Sequence, residues 1–241
     1  MLFTYDSYEK LLREIKDQYK YSFLRFDHQL LENTDRLLYL RHDVDISPYS
    51  ALQLGKIEHK LDITANYFFQ IGAETYNLFS SNTIQIIKDL FSMGHCVGLH
   101  IDELLFRDNG EKIFSTLKWF KECITDVNLV VSFHRPSNSM LHRKFNSFIS
   151  AYQTDFFSPE NFLSDSRKNE EFYPKLMKLL NENRSPIQLL LHPAWWYPEK
   201  DVIKFKDKIV KRRISELNKY LKSNFKNLER HIEDEDHTYG L

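Results

Sequence analysis

The sequence predicts an α/β fold: a (β/α) barrel of about six or seven parallel strands, followed by a long C-terminal helix. Three observations lead there. Short, nearly continuous apolar runs alternate with segments of helical periodicity, as parallel strands covered by helices do. Ionisable residues gather at the C-terminal ends of the apolar runs, the face on which parallel α/β folds build their sites. Four separate strand ends contribute, whereas a doubly wound sheet usually concentrates its site at one switch point, and this favours the barrel. With 241 residues and 42% apolar content the chain can bury a substantial core. It reads as a single domain, with an N-terminal helical segment over 1–36, a barrel over 37–200 and a terminal helix over 201–241.

The elements follow in order. Asp6 and Glu9 resemble a capping box, and Tyr8, Leu11, Leu12 and Ile15 recur at helical spacing, so a first helix is expected over about residues 7 to 18. "RLLYLRHDVD" is a buried strand, and "SPYSALQLGKIEHKLD" a helix with Ser47 as N-cap and Pro48 at the first helical position. "TANYFFQI", "HCVGLHID" and "NLVVSFHRP" are further strands, separated by the helices "SNTIQIIKDLFSMG", ending near Gly94, and "EKIFSTLKWFKECI". "HRKFNSFISAY" is then a weak helix, "TDFFSP" a short strand, "NEEFYPKLMKLLNEN" a helix and "PIQLLLHPAWW" a strongly apolar strand. From Asp201 to Ile232 a long helical pattern places Val210, Ile214, Leu217, Leu221, Phe225, Leu228 and Ile232 on one stripe, with lysine and arginine opposite. Such a helix packs on the body or on a second subunit, which would make a homo-oligomer, or lies against an anionic membrane surface or a lipid-linked substrate. The acidic "EDEDH" beyond it reads as a solvated tail.

Composition removes several classes of function. A net charge of −1, from 33 basic and 34 acidic residues, provides no field for nucleic acid. Cys96 and Cys123 cannot form a disulfide framework, and the N-terminus lacks the basic and then apolar run of a signal peptide, so a cytoplasmic protein is expected. No apolar run is long enough for a transmembrane segment. The 19 Phe and 13 Tyr suit a large core and a stacking surface for a sugar ring. There is no G-x-S-x-G elbow, no Walker loop and no G-x-G-x-x-G, and the cysteines lack metal-binding spacing.

Chemistry concentrates at the strand ends. Asp43 and Asp45, two apart on a strand, point to the same side, and two such carboxylates repel unless a cation intervenes or one is protonated. The plainer alternative is an ion pair with Arg41 or a cap on the next helix. His100 with an aspartate suits zinc or a similar divalent cation, whose catalytic sites use about three protein ligands. His95 begins its strand and reads as structural. His134 and Arg135 end another strand, and Arg135 can fork onto a carboxylate such as Asp43 or lie on the surface. His192 emerges from a buried strand beside Trp195 and Trp196, which suggests proton transfer next to a sugar platform, a core histidine being the alternative.

In this order and spacing, "RHDVD", "ANYFF", "GHCVGLH", "HRPSN" and "LLLHP" resemble the polysaccharide deacetylases of carbohydrate esterase family 4, over about residues 37 to 196. The chain is most similar to a cytosolic HDVD-type branch associated with surface-polysaccharide biosynthesis, in which "SDS" (Ser164 to Ser166) and "HPxWW" recur. The resemblance implies a distorted barrel and a divalent metal, usually zinc, held by one Asp and two His. It implies Asp43 as general base, Asp45 and His100 as ligands, Arg135 as the arginine that holds Asp43, and His192 as general acid. The family's second motif is His-x-x-x-His, but position 104 here is Leu, so the third ligand must come from elsewhere. His134 is the expected substitute and Asp102 the alternative, with Asp102, Trp195 and Trp196 otherwise assigned to substrate contact. The implied reaction removes an acetyl, or a related O-acetyl or N-formyl group, from an amino sugar or glycan. That substrate would be nucleotide- or lipid-linked, handled in the cytoplasm or at the inner membrane surface. The rival expectation is a non-catalytic barrel that binds a sugar or a partner after losing its full metal site.

Overall fold

Leu37–Val44 (β2), buried at every position, is the strand about which the sheet is arranged. The computed structural model describes residues 3–28, 35–106, 110–124, 127–198 and 203–225. The chain divides into two units, Met1–Pro198 and Glu199–Leu241.

In the first unit α1 (Tyr5–Arg13) starts earlier than Asp6 and Glu9 suggest. The hydroxyl of Thr4 accepts from Ser7 N at 3.2 Å and forms the cap. A short strand β1 (Ser22–Phe23) precedes β2, and α2 (Pro48–Lys60) follows it with the expected cap, Ser47 accepting from Ser50 N at 3.2 Å. Then come β3 (Asn66–Gln70), α3 (Ser81–Ser92), β4 (Cys96–Asp102), α4 (Glu103–Phe106), α5 (Gly110–Ile124) and β5 (Val130–His134). Gly94, with φ +90°, takes the left-handed turn after α3 that suits glycine.

Two expectations fail in the next segment. "HRKFNSFISAY" forms no helix; it contains the short strand β6 (Ile149–Ser150), because Ile149 and Ser150 pair with Val130 and Val131 at the edge of the sheet. The stacked rings of Phe145 and Phe148, 4.3 Å apart, anchor the irregular run before it. "TDFFSP" is a turn, in which Phe156 N and Phe157 N both donate to Gln153 O at 3.0 Å and send their rings into different parts of the core. The strand comes later, as β7 (Phe162–Ser164), before α6 (Phe172–Asn181) and β8 (Ile187–Leu190).

All strand pairs are parallel, in the order β6-β5-β4-β3-β2-β8-β7, with β1 also on β2. Among the described residues β6 and β7 do not pair, so the sheet is a curled half-barrel rather than a closed ring. Period two sorts its side chains. Leu38, Leu40, Tyr67, Leu99, Val131 and Leu189 join the main core, whereas Tyr39, Phe68, Cys96 and Val130 form a smaller apolar layer on the other face. Above that layer, towards the strand C-termini, the inward positions become polar. Gly98 keeps the strands close, since a Cβ there would stand 2.3 Å from the carbonyl oxygen of Val130.

The second unit contains α7 (Ile203–Asn224), with eight lysines and arginines against two acidic residues. Leu228, Ile232 and the acidic tail lie outside the described residues. No helix among those residues is long and apolar enough to cross a membrane.

Candidate active site

The polar upper layer is built by strand register. Gln70 aligns with His100 and His100 with Ser132, Asp102 aligns with His134, and Arg41 with Leu190. Alternation therefore turns Arg41, Asp43, His100, Ser132, His134, Gln188 and His192 towards one space, with Asp45 just past the end of β2.

At the back of that space Arg41 holds Asp43 in a two-pronged ion pair, with Nε to Oδ1 at 2.9 Å and Nη2 to Oδ2 at 2.7 Å. The fork comes from Arg41 and not from Arg135, which is exposed with φ +53° and supplies none of the partners of Asp43. Arg41 is completely buried. It also donates to Gln188 Oε1 at 3.0 Å, to the Tyr152 hydroxyl at 3.0 Å and to Ser132 Oγ, with its guanidinium over the Tyr152 ring at 4.5 Å. Burial alone would raise the Asp43 carboxyl, but the guanidinium of Arg41, and then His100, outweigh it and hold Asp43 well below the usual carboxylate range. Asp43 is a permanent anion.

Ser132 fixes the tautomer of His100. Its one proton goes to Asp43 Oδ1 at 3.0 Å, so His100 Nδ1, 2.8 Å from Ser132 Oγ, must be the donor in that contact. The Nε2 lone pair of His100 is left bare. Burial, the largest influence, pushes His100 down despite the nearby aspartates, and this favours the neutral ligand form.

That nitrogen lies 3.3 Å from Asp45 Oδ1, and the His134 ring sits edge-on to His100 with centroids 5.2 Å apart. One donor atom each from Asp45, His100 and His134 lies within 4.8 Å of the others. Asp45 Oδ1 and His134 Nδ1 are both buried without a hydrogen-bond partner. Buried polar atoms without partners are costly, and one carboxylate with two imidazoles is a donor set that zinc or a related ion accepts. These residues fit a divalent metal. Asp102 takes no part in the cluster; its Oδ1 accepts from Leu104 N at 2.9 Å and turns the chain into α4.

On the far side, His192 Nε2 faces Asp45 Oδ2 at 3.7 Å, while its Nδ1 hydrogen-bonds Asp165 Oδ1 at 2.7 Å. Asp165 also accepts from His192 N at 2.9 Å and from Trp196 Nε1 at 3.1 Å. Three N–H groups converge on it and favour its ionised form, although burial outweighs them and raises the carboxyl above its ordinary value. Burial would lower His192, but the hydrogen bond and charge of Asp165 prevail and raise it. Trp196 is no sugar platform: it is 0% exposed, packed against Phe3 and Tyr8 with ring centroids 5.0 Å away in each case. Trp195 is partly exposed beside His192, 6.3 Å between ring centroids. His95 lies buried in the core below α2, its Nε2 3.1 Å from the carbonyl of Gly55.

Asp165 is the residue that sequence reasoning missed. Its signal was the "SDS" burst, which follows β7 as the other polar bursts follow their strands. Ser132 and Gln188 were hidden because each is a single polar residue within an apolar run.

No family model and no curated protein matches the sequence. Among solved structures the chain is similar to the peptidoglycan deacetylase PdaC from Bacillus subtilis, at 13% identity and TM-score 0.44, covering 76% of this chain and 96% of that one. It is similar to a family 4 acetyl xylan esterase from Clostridium thermocellum, in complex with cobalt, at 14% identity and TM-score 0.40, covering 75% and 85%. It is also similar to a CE4 family pseudoenzyme from Bacillus anthracis, at 12% identity and TM-score 0.43, covering 77% and 63%. At such values the functional conclusion rests on the residues of the chain itself.

Proposed function

We propose that this protein is a metal-dependent hydrolase of the polysaccharide deacetylase type, removing an acetyl group from an amino sugar. The observation that carries this reading is the meeting of one donor atom each from Asp45, His100 and His134 within 4.8 Å, on residues of which Asp45 Oδ1 and His134 Nδ1 are buried without a hydrogen-bond partner. Asp45, His100 and His134 would hold the ion. When bound, it supplies a Lewis acid for the acyl carbonyl and lowers the pKa of water from about 15.7 towards about 7.

The remaining steps belong to the side chains. Asp43, kept anionic by Arg41, takes a proton from the attacking water with the lone pair its partners leave free. The water oxygen bonds to the carbonyl carbon of the acetamide. His192, whose Nδ1 is committed to Asp165, gives its Nε2 proton to the sugar nitrogen as the carbon–nitrogen bond breaks. Acetate and a free amino sugar leave. An O-acetyl or N-formyl group would follow the same steps.

In this reading the substrate is an amino sugar on a nucleotide or lipid carrier, deacetylated on the cytoplasmic side during surface-polysaccharide synthesis. The basic composition of α7 supports an anionic carrier through charge. The test is metal content of the purified protein, with acetate release from acetamido sugars and Asp43→Asn as control. Bound divalent metal with acetate release that Asp43→Asn abolishes is expected. A protein without metal that gains no thermal stability with zinc is instead a sugar- or partner-binding barrel.

A further inference from the structure

On the helix-facing side of β2, behind the site, lies a second buried polar cluster that the hydrolysis does not use. Glu58 on the last turn of α2, with His42, Tyr8, Tyr67 and His95, are all 0% exposed. Glu58 Oε1 receives His42 Nε2 at 2.7 Å and the Tyr8 hydroxyl, and Oε2 receives the Tyr67 hydroxyl at 2.7 Å. His42 Nδ1 is 2.9 Å from the carbonyl oxygen of Leu191. Both ring nitrogens of His42 face acceptors, so both donate. A buried ionic pair is a poor device for stability alone, because apolar residues of similar volume usually serve as well. A directional role accounts for it better.

Two routes run from this cluster to His192. The peptide joining Leu191 to His192 is held at both edges, its carbonyl by His42 Nδ1 at 2.9 Å and its N–H by Asp165 Oδ1 at 2.9 Å. A peptide plane gripped at both edges cannot rotate, and the His192 ring hangs from its end. The second route passes through rings. Tyr8 packs on Trp196 at 5.0 Å, and Trp196 Nε1 donates to Asp165 at 3.1 Å. We propose that Glu58 and His42 are positioning residues for His192: they clamp the Leu191–His192 peptide and so set where the Nε2 proton is presented to the leaving nitrogen. This rests on the reading of His192 as proton donor, and it extends the working site to the opposite face of the sheet.

The test compares two leaving groups. An amine must be protonated to depart, whereas an activated aryl oxide departs without help. Glu58→Gln is the mild variant, which keeps an acceptor for the Tyr8 and Tyr67 hydroxyls. His42→Leu with Glu58→Met, made together with Tyr8→Phe and Tyr67→Phe so that no hydroxyl is stranded, replaces the cluster by apolar volume, its folding checked by thermal unfolding. Turnover of an acetamido sugar should fall on the order of a hundredfold, as loss of general acid catalysis does, while turnover of an aryl acetate falls about tenfold less or better. A proton spectrum provides a readout that needs no activity: the downfield Nδ1 proton of His192, identified by its absence in Asp165→Asn, should shift or broaden in both variants. Parallel losses on the two substrates, or an unchanged Nδ1 proton, would overturn the clamp. If the unaltered protein cleaves neither substrate the hydrolase reading has failed, and the proton signal then decides the clamp alone.

Discussion

The two faces of β2 carry two buried polar clusters made from adjacent residues, and they differ in how far they are satisfied. Outward, His42 and the Glu58 carboxylate are each hydrogen-bonded at both ends, to the Leu191 carbonyl and to the Tyr8 and Tyr67 hydroxyls. Inward, the back of the cluster is equally closed, with Arg41 engaging Asp43, Gln188, Ser132 and Tyr152. Its front is not: Asp45 Oδ1 and His134 Nδ1 have no partner. An unmet buried polar atom costs about 1–3 kcal/mol, so two of them on residues of one cluster mark the place where a ligand completes the structure. A saturated cluster holds other groups in position; an unsaturated one waits for something to bind.

The strongest way to break this contrast is to remove a donor from the open cluster. Asp45→Asn should abolish tight zinc binding and lower turnover by about a thousandfold or more, equivalent to about 4 kcal/mol of lost transition-state stabilisation. Tyr67→Phe, which deletes one donor to Glu58 in the closed cluster, should cost about 1–2 kcal/mol of folding stability and leave zinc affinity alone. Calorimetric titration with zinc and thermal unfolding read the two effects. If Asp45→Asn binds zinc like the unaltered protein, the distinction between the clusters has no meaning.

A smaller effect sharpens the role of Asp165, which lies between the two clusters. Because Asp165 raises His192 above its ordinary value, His192 keeps its proton to higher pH, and the rate falls only as pH rises through that raised value. Asp165→Asn removes the hydrogen bond and charge responsible, so the alkaline limb of the pH–rate profile should move to lower pH. Turnover at neutral pH should drop about ten- to a hundredfold, as when the partner that orients a catalytic imidazole is lost. A limb that stays in place or moves upward would remove His192 from the acid role.

How much of this was legible in the sequence follows from where apolar runs stop and polar residues begin. The nearly continuous apolar runs of β2, β4, β5 and β8, set between helical segments, announced the parallel sheet, and polar residues at the ends of those runs announced which face was open. Asp45, His100 and His134 were legible because each lies at or near the C-terminal end of its own strand. The sequence favours Arg135 as the partner of Asp43 and keeps the Arg41 ion pair as the plainer alternative, since nothing in it tells whether an arginine two residues earlier on the same strand or one across the sheet will close the fork. Trp196 looked like a binding surface because the sequence shows its proximity to His192 but not that its ring turns into the core against Tyr8. The segment 142–159 was misread because β6 is dictated by an edge partner, β5, outside its own sequence.

The smallest effect concerns Leu104, the position where the family pattern would place a second histidine. Leu104 is 79% exposed, on a short helix that begins when its own N–H is captured by Asp102 at 2.9 Å. In place of an imidazole from that helix, β5 supplies His134, set beside the end of β4 by the pairing of Asp102 with His134. Adding a histidine at 104 therefore places an imidazole in solvent. Leu104→His should change zinc affinity by no more than about twofold, as exposed substitutions do, whereas His134→Leu should lose about a hundredfold or more. A Leu104→His variant that binds zinc at least about tenfold tighter would mean that α4 swings onto the ion and that the third donor is shared between two elements. His134 would then be one of two competing ligands, and the open cluster would have more than one way to close.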